Sequence, residues 1–290
     1  MSKKISVIVT TYNNHDTLSA CLRSIVDQTY KNLELIVVDN SSTDDTQEIA
    51  RHFTDQVYTR GPERSAQRNF AASKATGDYI LIIDSDMELS PEIVGQCAEL
   101  VEEKANLSSA VIPEESFGDG FWAQCKKLER SFYVGQRHIE AARLYRRDTF
   151  LHAGGYNEDM TGGEDWDLTR RMRKLGTQGR IDAYVYHNEG RPRFLRTVKK
   201  MYYYGQHASQ YFSNNPTDSA LTDKSGPIQR YKLFLSKPGK LFRNPIVGIG
   251  MLTLKTAEFA AGGLGMVMAR PKNQQSKFEK DDPVSAGNGE

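Results

Sequence analysis

Three short apolar runs govern what this chain of 290 residues can fold into. Ile5-Ser6-Val7-Ile8-Val9, Leu33-Glu34-Leu35-Ile36-Val37-Val38 and Tyr79-Ile80-Leu81-Ile82-Ile83 are rich in β-branched residues and nearly continuous in apolarity. Such runs are strands buried on both faces, so helices must cover them. Between the first two, Leu18, Cys21, Leu22, Ile25 and Val26 fall on one helical stripe. Ser42 or Thr43 can cap a second helix through Ile49 to Phe53. Further helices are expected over Gln67–Lys74, ending at Gly77, and after Pro91. This alternation predicts an α/β fold around a parallel sheet. Ligands of such sheets bind beyond the carboxyl ends of the strands. Each run delivers polar residues there: Thr11 and Asn13, then Asp39, then Asp84 and Asp86.

Past residue 105 the spacing predicts strands near Ser109–Ile112 and Ala142–Tyr145, with a helix near Trp122–Tyr133 between them. Gly154-Gly155-Tyr156 and Gly162-Gly163 frame a glycine-rich stretch before Glu164-Asp165-Trp166-Asp167-Leu168, which opens a helix. A last strand is expected over Ala183–Tyr186, ending at His187.

With 38% hydrophobic and 26% charged residues the chain can bury a core, which excludes a disordered or collagen-like protein. The formal charge of +1 excludes bulk charge as a nucleic-acid signal. Its distribution is uneven. Residues 191–243 hold eleven Lys/Arg against two Asp, whereas residues 1–190 hold 22 basic against 30 acidic residues. That contrast predicts a metal or cationic site in the body and an anionic partner for the basic segment. Cys21, Cys97 and Cys125 are far apart with no CxxC spacing, as expected of reduced thiols in a cytoplasmic protein. Lys3-Lys4 precedes only five strand-like residues, too few for the core of a signal peptide.

Asp84-Ser85-Asp86 closes a buried strand, where two carboxylates can hold a hard divalent cation against a diphosphate. Glu164 and Asp165, after the glycine-rich loop, can be aimed by the helix they open; acids there also complement the helix dipole. Trp166 can stack on a sugar ring or pack on the sheet. His187, at a strand end, can complete a metal site begun by Asp86 or serve the fold alone.

Taken in order, Val-Ile-Val-Thr-Thr-Tyr-Asn, Val-Val-Asp-Asn-Ser-Ser-Thr-Asp, Ala-Gln-Arg-Asn, Gly-Asp-Tyr-Ile with Asp84-Ser85-Asp86, and Gly-Gly-Tyr…Gly-Glu-Asp-Trp-Asp-Leu resemble the family 2 glycosyltransferases with the GT-A fold. The resemblance covers roughly residues 4–190. It implies a Rossmann-like nucleotide-diphospho-sugar transferase fold and inverting transfer from a nucleotide-diphosphate sugar, with Mg²⁺ or Mn²⁺. Carried over, Thr11, Tyr12 and Asn13 line the nucleotide pocket, Asp39 accepts from the base, and Arg68 contacts the nucleotide or its phosphates. Asp84 faces the ribose and metal side, Ser85 lies between the two acids, and Asp86 binds the metal. Glu164 and Trp166 flank the general base Asp165, and His187 matches a late metal or diphosphate histidine. The Gln-x-x-Arg-Trp motif of the processive branch is missing, which argues for a non-processive enzyme.

The expected organisation is a catalytic domain over 1–190, a basic helical region over 191–270 and a disordered tail over 271–290. Ile246–Ala269 is long enough to span a bilayer, but Lys255 and Glu258 sit at its centre. A helix lying on the cytoplasmic membrane surface is the expected form, set against helices packed on the catalytic domain or forming a dimer interface. The acceptor is then a lipid-linked or cell-envelope glycan precursor, no nucleic-acid partner is expected, and oligomer formation stays open. The rival readings are a metal-dependent nucleotidyltransferase and a non-catalytic nucleotide-sugar-binding protein. Thr10–Asn14 lacks the glycine-rich basic phosphate loop of the former, and the acids Asp84, Asp86 and Asp165 argue against the latter.

Overall fold

Every residue of β1 (Ile5–Thr11) is buried, and its alternate side chains serve two different cores. Ile5, Val7 and Val9 join Leu81 and Ile83 of β4 (Tyr79–Asp84) against Leu18, Cys21, Leu22 and Ile25 of α1 (His15–Val26). Ile8 faces the other way, with Ile36 and Val38 of β2 (Leu33–Asp39), Ile80, Ile82 and Ala71 and Ala72 of α3 (Arg64–Lys74). The strand period of two sends successive residues to opposite faces, so a continuous apolar run feeds a helix layer on each side. The computed structural model of the protein describes residues 2–160, 162–214 and 226–269. The expected tail over 271–290 lies outside the described residues.

The chain forms two compact units. The first comprises Met1–Phe117, Tyr133–Glu158 and Glu164–Glu189. Its larger sheet has the order β3-β2-β1-β4-β8-β6-β9, with β3 at Val57–Thr59, β6 at Leu107–Val111, β8 at Ala142–Arg146 and β9 at Thr177–Arg180. β1 pairs in parallel with both β2 and β4, and the register sets Thr11 beside Asp39 and Thr10 beside Asp84. The chain steps outward from β1 to β2 and β3, then returns to the other side of β1 for β4. That reversal is the topological switch point where α/β sheets bind ligands. The sheet is mixed rather than wholly parallel: β8 runs antiparallel to both β4 and β6.

A smaller sheet of order β5-β10-β7 joins β5 (Met87–Leu89), β7 (Glu114–Phe117) and β10 (Val185–Asn188). The last strand predicted from sequence is therefore shifted, and His187 lies inside it rather than at its end. Four further helices, α2 (Thr46–Arg51), α4 (Ile93–Glu103), α6 (Arg147–His152) and α7 (Glu164–Leu175), complete this unit. Asp45, not Ser42 or Thr43, occupies the N-cap position of α2, because Ser42 is engaged by Asp39 and Asn13.

The second unit gathers Gly118–Phe132, Asp159–Gly163 and the described residues from Gly190 onward. It contains α5 (Gly120–Tyr133) but for its last residue, α8 (Phe194–Asn214), α9 (Pro227–Leu235), α10 (Pro238–Leu241) and α11 (Pro245–Val267). It thus takes in a helix that the sequence placed within the catalytic domain. Gly205 of α8 meets Gly262 of α11 backbone to backbone: a Cβ on Gly205 would lie 2.1 Å from the Gly262 carbonyl oxygen. Phe132 stacks edge-on against Phe234 at 5.4 Å between ring centres. Lys255 is buried between Glu129 of α5 and Glu258, each 2.5 Å away. Burial alone would lower the lysine pKa, but the two carboxylates outweigh it and raise it. The centre of the apolar run expected to lie on a bilayer is therefore an interior ion triad. Among the described residues no helix is long and apolar enough to cross a membrane.

Candidate active site

The loops after β1 and β2 are stitched together at the sheet's carboxyl edge. Asp39 is fully buried and accepts from the Ser42 amide (2.7 Å), the Ser42 hydroxyl and Gln47 Nε2 (2.7 Å). Asn13 adopts a left-handed backbone, φ 45°, which its short polar side chain tolerates. Its amide donates to Ser42 Oγ and its Oδ1 accepts from the Thr43 amide, both at 2.8 Å. Thr11 is buried with no hydrogen-bond partner for its hydroxyl among the described residues. Tyr12 projects outward and is 42% exposed. Of this group Tyr12 offers an open aromatic face, whereas Asp39 already has its oxygens engaged.

Arg68 organises the acids. It lies on α3, is 1% exposed, and donates through Nη2 to Asp84 Oδ1 at 2.7 Å. Nη1 donates to Asp165 Oδ1 at 3.1 Å and to Glu164 Oε1 at 3.4 Å. The Tyr156 ring closes the pocket 4.9 Å from the guanidinium carbon. Arg143 of β8 reaches the other Asp84 oxygen at 3.4 Å and Glu114 at 3.1 Å. Burial pushes the Asp84 carboxyl up, but Arg68, Arg143 and Arg64 outweigh it and hold it well below the usual carboxylate range. Glu164 moves the other way: burial and the neighbouring Asp165 charge raise it against the pull of Arg64 and Arg68. The two acids that open α7 therefore differ. The Glu164 side chain is 4% exposed and that of Asp165 41%.

The small sheet brings His187 to Asp86. β10 runs antiparallel to β5 with His187 opposite Met87, and the Asn188 amide donates to the Asp86 carbonyl at 2.8 Å. His187 Nε2 lies 3.2 Å from Asp86 Oδ2 and Nδ1 lies 2.9 Å from Glu114 Oε1. Burial lowers the imidazole pKa, but these two carboxylates outweigh it and push it up to about 10. Asp86 Oδ1 is buried without a hydrogen-bond partner among the described residues. An uncompensated carboxylate oxygen in a buried position fits a hard cation. No three His, Cys, Asp or Glu side chains among the described residues form a closed metal cage. One carboxylate suits a cation that keeps waters and takes substrate phosphate oxygens, as Mg²⁺ does. His187, expected as a metal ligand, instead holds a proton between Asp86 and Glu114 and has no lone pair to offer in this arrangement. Asp84 differs from Asp86 in that guanidinium groups engage both of its oxygens.

The remaining predicted residues support these. Ser85 Oγ accepts from Asn14 Nδ2 at 2.5 Å and its carbonyl from Thr17 Oγ1 at 3.0 Å, fixing the turn between the two acids to the start of α1. Trp166 is half-buried, its indole N–H donating to the Ile139 carbonyl at 2.7 Å. Asn69, next to Arg68, grips Tyr156 twice: Oδ1 accepts from its amide at 2.8 Å and Nδ2 donates to its carbonyl at 2.9 Å. Gly155 has φ +66°, and a Cβ there would fall 2.4 Å from Asn69 Oδ1. The Arg-Asn pair and the Gly-Gly-Tyr turn are two halves of one contact. Sequence reasoning missed Arg143 and Glu114. Arg143 carried a signal, a charge between Ala142 and Leu144 of an expected strand, and Glu114 follows Pro113 just past a strand end.

The sequence pattern described as Glycosyl transferase family 2 matches residues 6–156. A Campylobacter jejuni GalNAc(5)-diNAcBac-PP-undecaprenol beta-1,3-glucosyltransferase is 27% identical over 186 residues, covering 56% of this chain and 57% of that protein. An Escherichia coli UDP-Glc:alpha-D-GlcNAc-diphosphoundecaprenol beta-1,3-glucosyltransferase, WfaP, is 40% identical over 89 residues, 28% of this chain and 35% of that one. The chain thus spans little more than half the length of the first of these relatives and about a third of the second. Among solved structures, the mannosyltransferase PcManGT of Pyrobaculum calidifontis, in complex with GDP-Man and Mn²⁺, superposes with a TM-score of 0.57 at 20% identity, covering 92% of this chain and 78% of that one. Staphylococcus aureus TarS, residues 1–349, superposes with a TM-score of 0.52 at 17% identity over 91% and 90%. These neighbours share the GT-A fold. With the family pattern covering just over half its length on that fold, the chain belongs to the family 2 glycosyltransferases.

Proposed function

We propose that the chain is an inverting, non-processive glycosyltransferase that moves a sugar from a nucleotide-diphosphate donor to an acceptor hydroxyl or phosphate. The observation that carries this reading is the pairing of Asp84 and Asp165 through Arg68, which joins a strand end to a helix start 81 residues later. Inversion by single displacement needs positive charge at the leaving diphosphate and a base from another segment, facing the acceptor. Asp165 is the exposed member of its pair, so it takes the proton from the acceptor hydroxyl. Glu164, buried and raised, supports the helix start. Arg68 fixes the position of Asp165 Oδ1. Tyr12 and Asn13 line the nucleotide side, with Thr11 and Asp39 beneath them. Trp166 stands one residue from the base, with its indole held in place. Asp86, through its unengaged Oδ1, would hold Mg²⁺ or Mn²⁺, which would supply positive charge to the leaving diphosphate, and His187 would hold the other Asp86 oxygen in place.

The relatives named above carry undecaprenol-linked glycans in their names. By likeness the acceptor here is a lipid-linked or cell-envelope glycan precursor. The basic second unit then works at the cytoplasmic membrane surface.

The test is turnover. Purified protein is incubated with UDP- and GDP-sugars and Mn²⁺, and released nucleoside diphosphate is followed with and without EDTA. Slow donor hydrolysis abolished by EDTA and by Asp86→Ala is the expected result. Thermal stabilisation by nucleoside diphosphate with no release from any donor would identify a binding protein instead. Release that is indifferent to EDTA would remove the metal from the scheme.

A further inference from the structure

The second unit buries one side of the turn from α9 to α11 and leaves the other side apolar as well. Phe234, Leu241 and Val247 face inward, at 0%, 0% and 8% exposure. Their neighbours Leu235, Phe242 and Ile246 are 58%, 44% and 72% exposed, and Ile249, one turn along α11 from Ile246, is 59% exposed. Four large apolar side chains thus stand in solvent within fifteen residues of chain. Exposed basic residues flank and separate them: Lys232 just before, then Lys237, Lys240 and Arg243 among them. Of these, Lys240 also donates to the Ser131 carbonyl at 2.8 Å. From residue 224 to residue 257 the sequence contains no Asp or Glu.

The geometry points to the corner Leu235–Ile249 as the segment that enters an anionic lipid bilayer, an inference resting on the membrane contact proposed above. Charge chooses this occupant. A second copy docked on the same face would set four exposed cations against four, and like charges in an interface are costly. Anionic headgroups meet them with opposite charge, while Leu235, Phe242, Ile246 and Ile249 pass below the headgroups. The corner, not the length of α11, makes the contact, because Lys255 and Glu258 hold the middle of that helix inside the unit.

Full-length protein is sedimented with phosphatidylcholine vesicles, with and without phosphatidylglycerol. Wild type should bind only the anionic vesicles. Leu235→Ser/Phe242→Ser/Ile246→Ser should lose about tenfold or more in partitioning, having lost most of its apolar burial. Lys232→Gln/Lys237→Gln/Arg243→Gln should lose about a hundredfold, at about fivefold per cation near an anionic surface. Val267→Ser, 84% exposed at the far end of the same helix, should bind as wild type does. All substitutions are at exposed positions, and unchanged thermal unfolding verifies the fold. Undiminished binding by the apolar triple variant, alongside binding by wild type, overturns the assignment of this corner and leaves the membrane contact standing. Binding of wild type to neither vesicle overturns both. Equal binding to neutral and anionic vesicles removes the electrostatic argument. A dimer seen by light scattering and lost in the apolar variant would give the face to a second copy and overturn the inference.

Discussion

Arg68 and Asp165 meet at 3.1 Å across 97 residues of sequence, and the same guanidinium reaches Asp84 at 2.7 Å. One side chain thus sets the spacing between the strand-end acid and the helix-start acid. Because Arg68 is buried, its carboxylates and its charge are mutually dependent.

Replacing Arg68 by Met would remove the buried cation shared by Asp84, Glu164 and Asp165, leaving Asp84 with Arg143 and Glu164 with Arg64, each at 3.4 Å. A loss of about 3–5 kcal/mol is expected, as for other buried pairs broken on one side. Arg68→Lys should lose less, since an ammonium keeps the charge but cannot fork between two carboxylates. Urea unfolding measures both. Were Arg68 chiefly a phosphate ligand, nucleotide affinity would fall while the unfolding midpoint stayed at the wild-type value.

The acids of α7 predict opposite outcomes for similar substitutions. Asp165→Asn keeps shape and hydrogen bonding but removes the proton acceptor, so kcat should drop about 10²–10⁴-fold. Affinity for nucleoside diphosphate should not change. Glu164→Gln should keep most of the rate, because burial already disfavours its charged form. Steady-state kinetics with titration calorimetry separate the two. A larger loss in Glu164→Gln than in Asp165→Asn would exchange their roles.

The runs of β1, β2 and β4 were legible because buried parallel strands are continuous in apolarity, and their ends put Thr11, Asp39, Asp84 and Asp86 along one edge. The acids of α7 were legible from their place at a helix start. The small sheet was not, since β5 has three residues and β7 and β10 four each, too few for a period to show. Its absence from the sequence reading hid Glu114 and set His187 at a strand end. Arg68 and Arg143 show a second limit. A long cationic side chain on a buried element signals a buried anion, but sequence does not say whether the anion is a phosphate or a group of carboxylates. From sequence Lys255 and Glu258 interrupt an apolar helix; the second acid that pairs with Lys255, Glu129, is 126 residues before it.

The contact between α3 and the Gly-Gly-Tyr turn predicts coupling. Gly155→Ala forces a side chain into a left-handed backbone and against Asn69, and should cost about 1–3 kcal/mol. Asn69→Ala removes the obstructing amide together with two hydrogen bonds to Tyr156. In the Asn69→Ala background the glycine substitution should therefore cost less, by about 0.5 kcal/mol or more. A double-mutant cycle by denaturant unfolding measures this, and strict additivity would deny the contact.

Acid sensitivity is expected at the opposite end of the sheet from the site. Glu34 accepts from Ser6 Oγ at 2.5 Å, the Thr76 amide at 2.6 Å, the Gly77 amide at 3.2 Å and Lys4 Nζ at 3.0 Å. Burial raises its pKa, but the hydrogen bonds from Ser6, Thr76 and Lys4 outweigh that and lower it from 4.5 to about 2. A folded-state pKa below the unfolded value means that the unfolded chain binds the proton first as pH falls. The stabilisation is therefore complete above pH 4.5 and fades as the pH drops toward 2. Glu34→Gln should lower stability at neutral pH by about 1–2 kcal/mol, the range for charge-assisted hydrogen bonds partly open to solvent. Asp84 and other acids also titrate, so the informative quantity is the gap between wild type and variant, not either curve alone. That gap should be constant from pH 7 down to about 4.5 and close below it. A gap of the same size at pH 3 and pH 7 would show that Glu34 contributes by shape, and that its charge stabilises nothing.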